Sequence, residues 1–311
     1  MSDSQGFLSP TLSTSMIHIR RDFAPWFRVA ASFNELGMHV LPAVKVTEIN
    51  QHLVAATLYG RTLKSFQATY VLAERGMLAD ARTVVRAGAE TAIVLYAVVK
   101  DASVCDLLIE RYFWHHRKLR KAWLDDPQAV AEMTAGEIDT IKAIIADIDK
   151  NHPKASQGKG DPVSIASLAK QAGVMALYNA IYRATSGDAA HTSIDALNRH
   201  VRSDGQNNIL GLQFGPEVSD LPPTLSDAIS VLAHALHAAL ELFPMQQLDA
   251  DLAQCEASWK ALGVPTEYKP EPSRREISGS CSGSYTAVSS GDCAQNLIQE
   301  GSCGRCDIAT Q

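Results

Sequence analysis

Two short stretches concentrate the side chains that could do chemistry. In "VVRAGAETAIVLYAVV" (84–99), Arg86 and Glu90 stand one helical turn apart in an otherwise apolar run. A helix that is apolar almost all round is buried on most sides. An unpaired buried charge is costly, so the two must pair with each other or with further polar groups. Either they form a structural ion pair that fixes how helices pack, or this face lines a polar cleft with a site in it. The second stretch, "YRATSGDAAHTS" (182–193), sets a Tyr, an Arg, hydroxyls, an Asp and a His between two apolar helical segments. Tyr178 and Tyr182 are one turn apart, Ser186 follows by another turn, and His191 comes just after. If the two stretches meet, Arg86, Glu90, Tyr182, Ser186 and His191 share one pocket. A histidine there could move a proton and an arginine could stabilise anionic charge. The plainer reading is that Ser186 and Asp188 satisfy a helix terminus and that His191 is a surface or hydrogen-bonded core residue.

Taken together, "ERGMLADARTVVRAGAETAIVLYAVVKD" (74–101) and "LYNAIYRATSGDAAHTS" (177–193) resemble a mainly bacterial family catalogued as domain of unknown function 5677. The first is similar to that family's Gly-ended helix followed by an Ala-Arg-x-x-x-Arg-x-x-x-Glu helix. The second is similar to its Tyr-Arg-x-x-Ser-x-x-x-His element, with four residues between Ser186 and His191 in place of three. The resemblance spans about residues 45–245. It implies a helical fold and no particular activity.

A second candidate lies in "RYFWHHRKLRK", where Arg111 and His116 match the loose Arg-x4–6-His pattern of HEPN ribonucleases. Those are small helical proteins that act as dimers. The likeness implies metal-independent cleavage of RNA, with His as acid–base on the 2′-hydroxyl and Arg stabilising the phosphorane. Against it, a five-residue step sets the two side chains well apart around a straight helix. The basic run that follows, Arg117, Lys118, Arg120 and Lys121, is either a solvated face or a contact for RNA phosphates. His234 and His237 share a helix face, but no acidic residue stands between them and packing is the simpler reading. Of six cysteines, Cys105 and Cys255 read as inert buried thiols. Cys281, Cys293, Cys303 and Cys306 fall in the last stretch, with one Cys-x-x-Cys. Zinc, a redox pair and no role all remain open for them, and no other cofactor is expected. There is no Walker loop, no Gly-x-Gly-x-x-Gly before a helix and no Gly-x-Ser-x-Gly elbow.

The elements that must position these residues are helices. Ala, Leu and Val dominate the apolar content, aromatics are 6%, and strand signals are nearly absent. The periodicity predicts short helices over 16–42 broken at Pro25, a helix over 45–75 closed by Gly76, and others over 78–99 and 102–123. It also predicts a helix closing before Pro153, a loop over 154–162, a helix over 164–185, and a short one from His191. Residues 202–223 read as a loop or small hairpin, followed by a helix capped by Thr224 or Ser226 and a last one over 249–263. The expected fold is all-α, a bundle-like array of about eight helices over 16–262. A disordered leader (1–15) precedes it, and a Pro-, Ser- and Gly-rich, Cys-containing tail (263–311) follows. The net charge of −6 disfavours a generally basic nucleic-acid binder. No apolar run of membrane-spanning length and no secretory leader is evident, so a cytoplasmic location is expected. Two functions remain: a HEPN-like ribonuclease, as a toxin or defence effector and a homodimer, or a non-enzymatic helical module that binds a ligand or protein partner.

Overall fold

The computed structural model describes residues 5–263, apart from 45, 47–49, 158–160, 162, 190–193, 205–207 and 244. The tail cysteines Cys281, Cys293, Cys303 and Cys306 therefore lie outside the described residues, as does His191. The fold is all-α. Helix α1 (Leu12–Asp22) is followed by α2 (Ala24–Ala43), α3 (Gln51–Glu74), α4 (Leu78–Lys100) and α5 (Val104–Asp125). Helices α6 (Pro127–Glu132), α7 (Ala135–Asn151), α8 (Pro153–Gln157), α9 (Ile165–Gln171) and α10 (Met175–Leu177) come next. A π-helical segment, Tyr178–Arg183, continues from α10. Short helices α11 (Ser186–Ala189) and α12 (Ile194–Asn198) precede strands β1 (Val201–Ser203) and β2 (Ile209–Leu212), then α13 (Leu221–Leu242) and α14 (Gln246–Ala261). The two strands form an antiparallel hairpin pairing Val201 with Leu212 and Arg202 with Gly211, with a bulge before Ser203.

The core is built on α4, which packs against both α3 and α13. Ala92, Ile93, Leu95, Ala97 and Val98 of α4 meet Tyr59, Leu63 and Phe66 of α3, and Ile229, Leu232 and Leu236 of α13, in one buried cluster. Gly88 makes the three-way contact close. A Cβ there would sit 3.2 Å from Ser65 Cβ and 3.4 Å from a Val231 methyl. Gly76 ends α3 as its spacing predicts, at φ 70°, and its carbonyl accepts from Glu217 N at 2.9 Å. A Cβ at Gly76 would come within 2.7 Å of Pro216, so both conformation and space require glycine.

Several boundaries differ from the periodicity. Helix α1 begins at Leu12, a buried residue inside the stretch read as a leader. Asn50 caps α3, accepting from the amides of His52 and Leu53, so the helix starts later than residue 45. The single helix expected before Pro153 is two, because Thr134 and Glu137 form a capping box that starts α7. Helix α8 occupies the start of the expected loop, and Gly173 (φ 74°) divides the expected 164–185 helix. Helix α13 starts at Leu221 with Pro222 and Pro223 in its first turn, where no amide partner is needed, so neither Thr224 nor Ser226 caps it. Thr224 Oγ1 is instead buried without a hydrogen-bond partner, and Ser226 Oγ accepts from Trp259 Nε1 at 3.1 Å. By length and composition α13 is apolar enough to cross a bilayer, which the sequence reading did not expect. Yet 56% of its most apolar window is buried inside the fold, as in a core helix.

Helix α5 leaves this core. Only its first residue, Val104, is fully buried. Further along, α5 packs on α7 and α8. Phe113 stacks on the His152 ring at 3.5 Å, Glu110 accepts from Ala155 N at 2.9 Å and meets His152 Nδ1, and Arg117 pairs with Asp149.

Candidate functional site

Where α5 diverges, it leaves a cleft of about 520 Å³ against α3 and α4. Helix α4 provides Arg86 and Glu90, with Ala87, Thr91 and Val94 as floor. Helix α3 adds Arg61, and α5 adds Arg111, Tyr112, Trp114 and His115. Asp161, from the connection ahead of α9, closes one side. The i, i+4 step that puts Arg86 and Glu90 on one helix face aims both into this space.

Arg86 and Glu90 do not pair with each other. Arg86 turns to the π segment, donating through Nη2 to the Tyr182 hydroxyl at 3.1 Å and through Nε to Ser186 Oγ at 3.2 Å. Its guanidinium also lies over the Tyr182 ring, 4.7 Å from the centroid. The Ser186 proton goes to the Tyr182 carbonyl at 2.6 Å, which leaves the serine lone pairs to Arg86. Tyr178 stacks behind Tyr182 at 5.3 Å and fixes the ring. The π turn that presents Tyr178 and Tyr182 is a rare element that recurs at functional sites. Burial, and then the Glu90 charge, push the Tyr182 phenol above its ordinary pKa against the opposing pull of Arg86, so it stays protonated at neutral pH.

Glu90 faces the other wall. Its Oε1 lies 3.5 Å from Arg111 Nη1, while Arg111 Nε donates to Asp161 Oδ2 at 3.0 Å. Asp161 Oδ1 accepts from Val163 N at 2.9 Å, which anchors the carboxylate. Arg111 thus bridges two carboxylates, whereas Arg86 has only neutral acceptors among the described residues. A half-buried cation with no ion-pair partner among the described residues, in an open cleft, is suited to an incoming anion.

The structure separates the other sequence candidates. Arg111 lines the cleft, but His116 does not. Its Nδ1 is 3.0 Å from Arg120 Nη1 and its ring lies 4.2 Å from that of Tyr112. The cleft histidine is His115, four residues after Arg111 and so one turn along the same face. That step was legible in the sequence, as were Tyr112 and Trp114 beside it. Arg61 and Asp161 carried no local signal. In the basic run, Arg117 and Arg120 have partners within the protein, Lys118 sits over the Trp114 ring at 5.1 Å, and Lys121 lines a neighbouring groove. His234 and His237 have separate partners, the Ser230 carbonyl at 2.8 Å and Glu256 at 2.7 Å. Among the described residues, no group of three or more His, Cys, Asp or Glu could hold a metal ion. Cys105 and Cys255 are half-buried rather than buried, and burial raises both thiol pKa values.

A model of the family described as "Family of unknown function (DUF5677)" matches residues 52–209, about half of the chain. That span holds every cleft residue named above. No curated protein and no solved structure matches.

Proposed function

We propose, for a chain that belongs to the DUF5677 family, that the cleft between α3, α4 and α5 binds an RNA phosphodiester and cleaves it without a metal ion, in the manner of HEPN ribonucleases. One observation carries this reading. Arg86, Arg61 and Arg111 converge on a single cleft that also presents an exposed histidine, His115, and two aromatic rings. Arg86 would contact the phosphate and stabilise the phosphorane charge, held in place by Tyr182 and Ser186. His115 would remove the proton from the 2′-hydroxyl. The 2′-oxygen attacks phosphorus and the bond to the 5′-oxygen breaks. The departing oxygen takes a proton from water, which the open cleft admits. The products are a 2′,3′-cyclic phosphate and a 5′-hydroxyl, and His115 returns its proton to solvent. The requirement for a 2′-hydroxyl excludes DNA as substrate.

The test is a cleavage assay on total RNA and tRNA, with and without EDTA, using wild type and the Arg86→Ala, His115→Ala, His116→Ala and His191→Ala variants. The expected result is EDTA-resistant cleavage lost in the Arg86 and His115 variants and kept in the His116 variant. Loss in the His191 variant alone would move the acid–base role to that residue. The double neutralisation of Arg111 by Glu90 and Asp161 favours a second reading, a non-enzymatic module that binds an anionic ligand through Arg86. Well-folded wild type that binds RNA and never cuts it would select that reading.

A further inference from the structure

The cleft does not end at His115. Trp114 lines it and also lines a second groove of about 280 Å³, formed with Arg117, Lys118, Lys121, Ala122, Asp125 and Ala155. Besides Leu108, Tyr112 and Arg117, the α5 residues lining the two cavities are Arg111, Trp114, His115, Lys118, Lys121, Ala122 and Asp125. They recur at steps of three and four, so they form one stripe along a single helix face, about 21 Å long at the α-helical rise of 1.5 Å per residue. The α5 cations at the groove are not equivalent. Arg117 is neutralised by Asp149. Lys118 and Lys121 have no carboxylate partner among the described residues, and Lys118 is held over the Trp114 ring. The arrangement is therefore cationic cleft, aromatic ring, cationic groove, with Asp125 as an acidic stop at the far end.

We propose that this face of α5 is a track for single-stranded RNA, which seats a second phosphate on Lys118 and Lys121 and a base on Trp114. The proposal rests on the reading of the cleft as an RNA site and adds its substrate class. An aromatic platform between two phosphate sites suits an unpaired strand, whose bases can turn out and stack; a duplex keeps its bases inside. The track also places the long part of the substrate on the α5–α8 side.

The experiment measures binding of 2′-O-methyl octauridylate, which lacks the nucleophilic hydroxyl and cannot be cut, by fluorescence anisotropy over a range of salt concentrations. Wild type is compared with a Lys118→Ala/Lys121→Ala double variant and with Trp114→Leu. Losing the second phosphate site should reduce the slope of log Kd against log salt by about 0.7, the increment per neutralised phosphate for single strands. Trp114→Leu should weaken binding about tenfold with the slope unchanged. A blunt duplex of the same length should bind more weakly than the single strand. An unchanged slope in the double variant, equal affinity for duplex, equal affinity for an oligoglutamate, or no binding at all would each overturn the track. The lysines are exposed, so their variant should fold whatever the Trp114 variant does. Cleavage is scored separately. Binding with the expected slope change but no cleavage of ordinary RNA would overturn the ribonuclease chemistry and leave the track standing.

Discussion

On the α4 wall of the cleft, Arg86 is held by a phenol and a serine hydroxyl; on the α5 wall, Arg111 is held by two carboxylates. Both side chains are guanidiniums at the same cleft, yet they are prepared for different work. Neutral acceptors fix the direction of Arg86, and no ion pair meets its charge among the described residues. Carboxylates fix Arg111 and cancel its charge, tying α5 to α4 and to the connection before α9. The difference arises in the backbone. Helix α4 belongs to the core, and the π segment and α11, both packed against it, bring Tyr182 and Ser186 to Arg86. Helix α5 projects from that core, packs on α7 and α8, and is tied across the cleft by the ion pairs of Arg111. The α4 wall is therefore the one on which anion recognition should depend.

The largest expected effect follows directly. Arg86→Ala should lower single-turnover RNA cleavage by about 10²–10³, the usual cost of removing one preorganised donor to a developing oxyanion. Arg86→Lys should not restore it, because an ammonium cannot bind Tyr182 and Ser186 as a fork. If Arg111→Ala proves as damaging as Arg86→Ala, the two walls do not differ as described. His115→Ala should reduce the rate by about 10² through loss of the proton acceptor. His116→Ala should cost little, since that ring faces Arg120 and Tyr112.

Tyr182→Phe tests how Arg86 is held. It removes one acceptor and keeps the ring under the guanidinium, so cleavage should fall by roughly tenfold, in line with about 1.5 kcal/mol for a hydrogen bond to a charged group. Because the phenol is pushed above its ordinary pKa, wild type should show no loss assignable to tyrosinate below about pH 10. A pH–rate profile compared with that of the Phe variant checks this. A variant that loses thermal stability without losing rate would make Tyr182 a packing residue.

The sequence showed these walls unequally. Arg86 and Glu90 stand out because charge is conspicuous in an apolar helix, and that contrast survives without any structure. Of the two arrangements left open, mutual pairing or pairing with further polar groups, the second occurs; i, i+4 spacing places two residues on one face but does not say which neighbour each will turn toward. Helix boundaries went astray where a local signal was overruled: Pro222 and Pro223 look like loop residues, yet they occupy a helix's first turn. The π turn at Tyr178–Arg183 has no periodic signature, so the way it delivers Tyr182 to Arg86 was invisible. Asp161 joins the site only through chain crossing. His115 was within reach, since a helix that carries Arg111 into a cleft carries the residue one turn later with it.

Glu90→Gln gives a small effect and separates the roles most sharply. Glu90 and Arg111 are both partly exposed, at 28% and 34%, so their ion pair is worth at most about 1 kcal/mol. Neutralising Glu90 should return that charge to the cleft and tighten octauridylate binding by roughly two- to fivefold, with little change in melting temperature. Arg111 remains anchored by Asp161, so α5 should keep its place. The outcome depends on whether Glu90 only restrains a cation or also moves a proton. In the first case the variant binds more tightly and cleaves at or above the wild-type rate. In the second it binds more tightly and cleaves far more slowly, and the base would then sit on the α4 wall beside Arg86 rather than on α5 at His115.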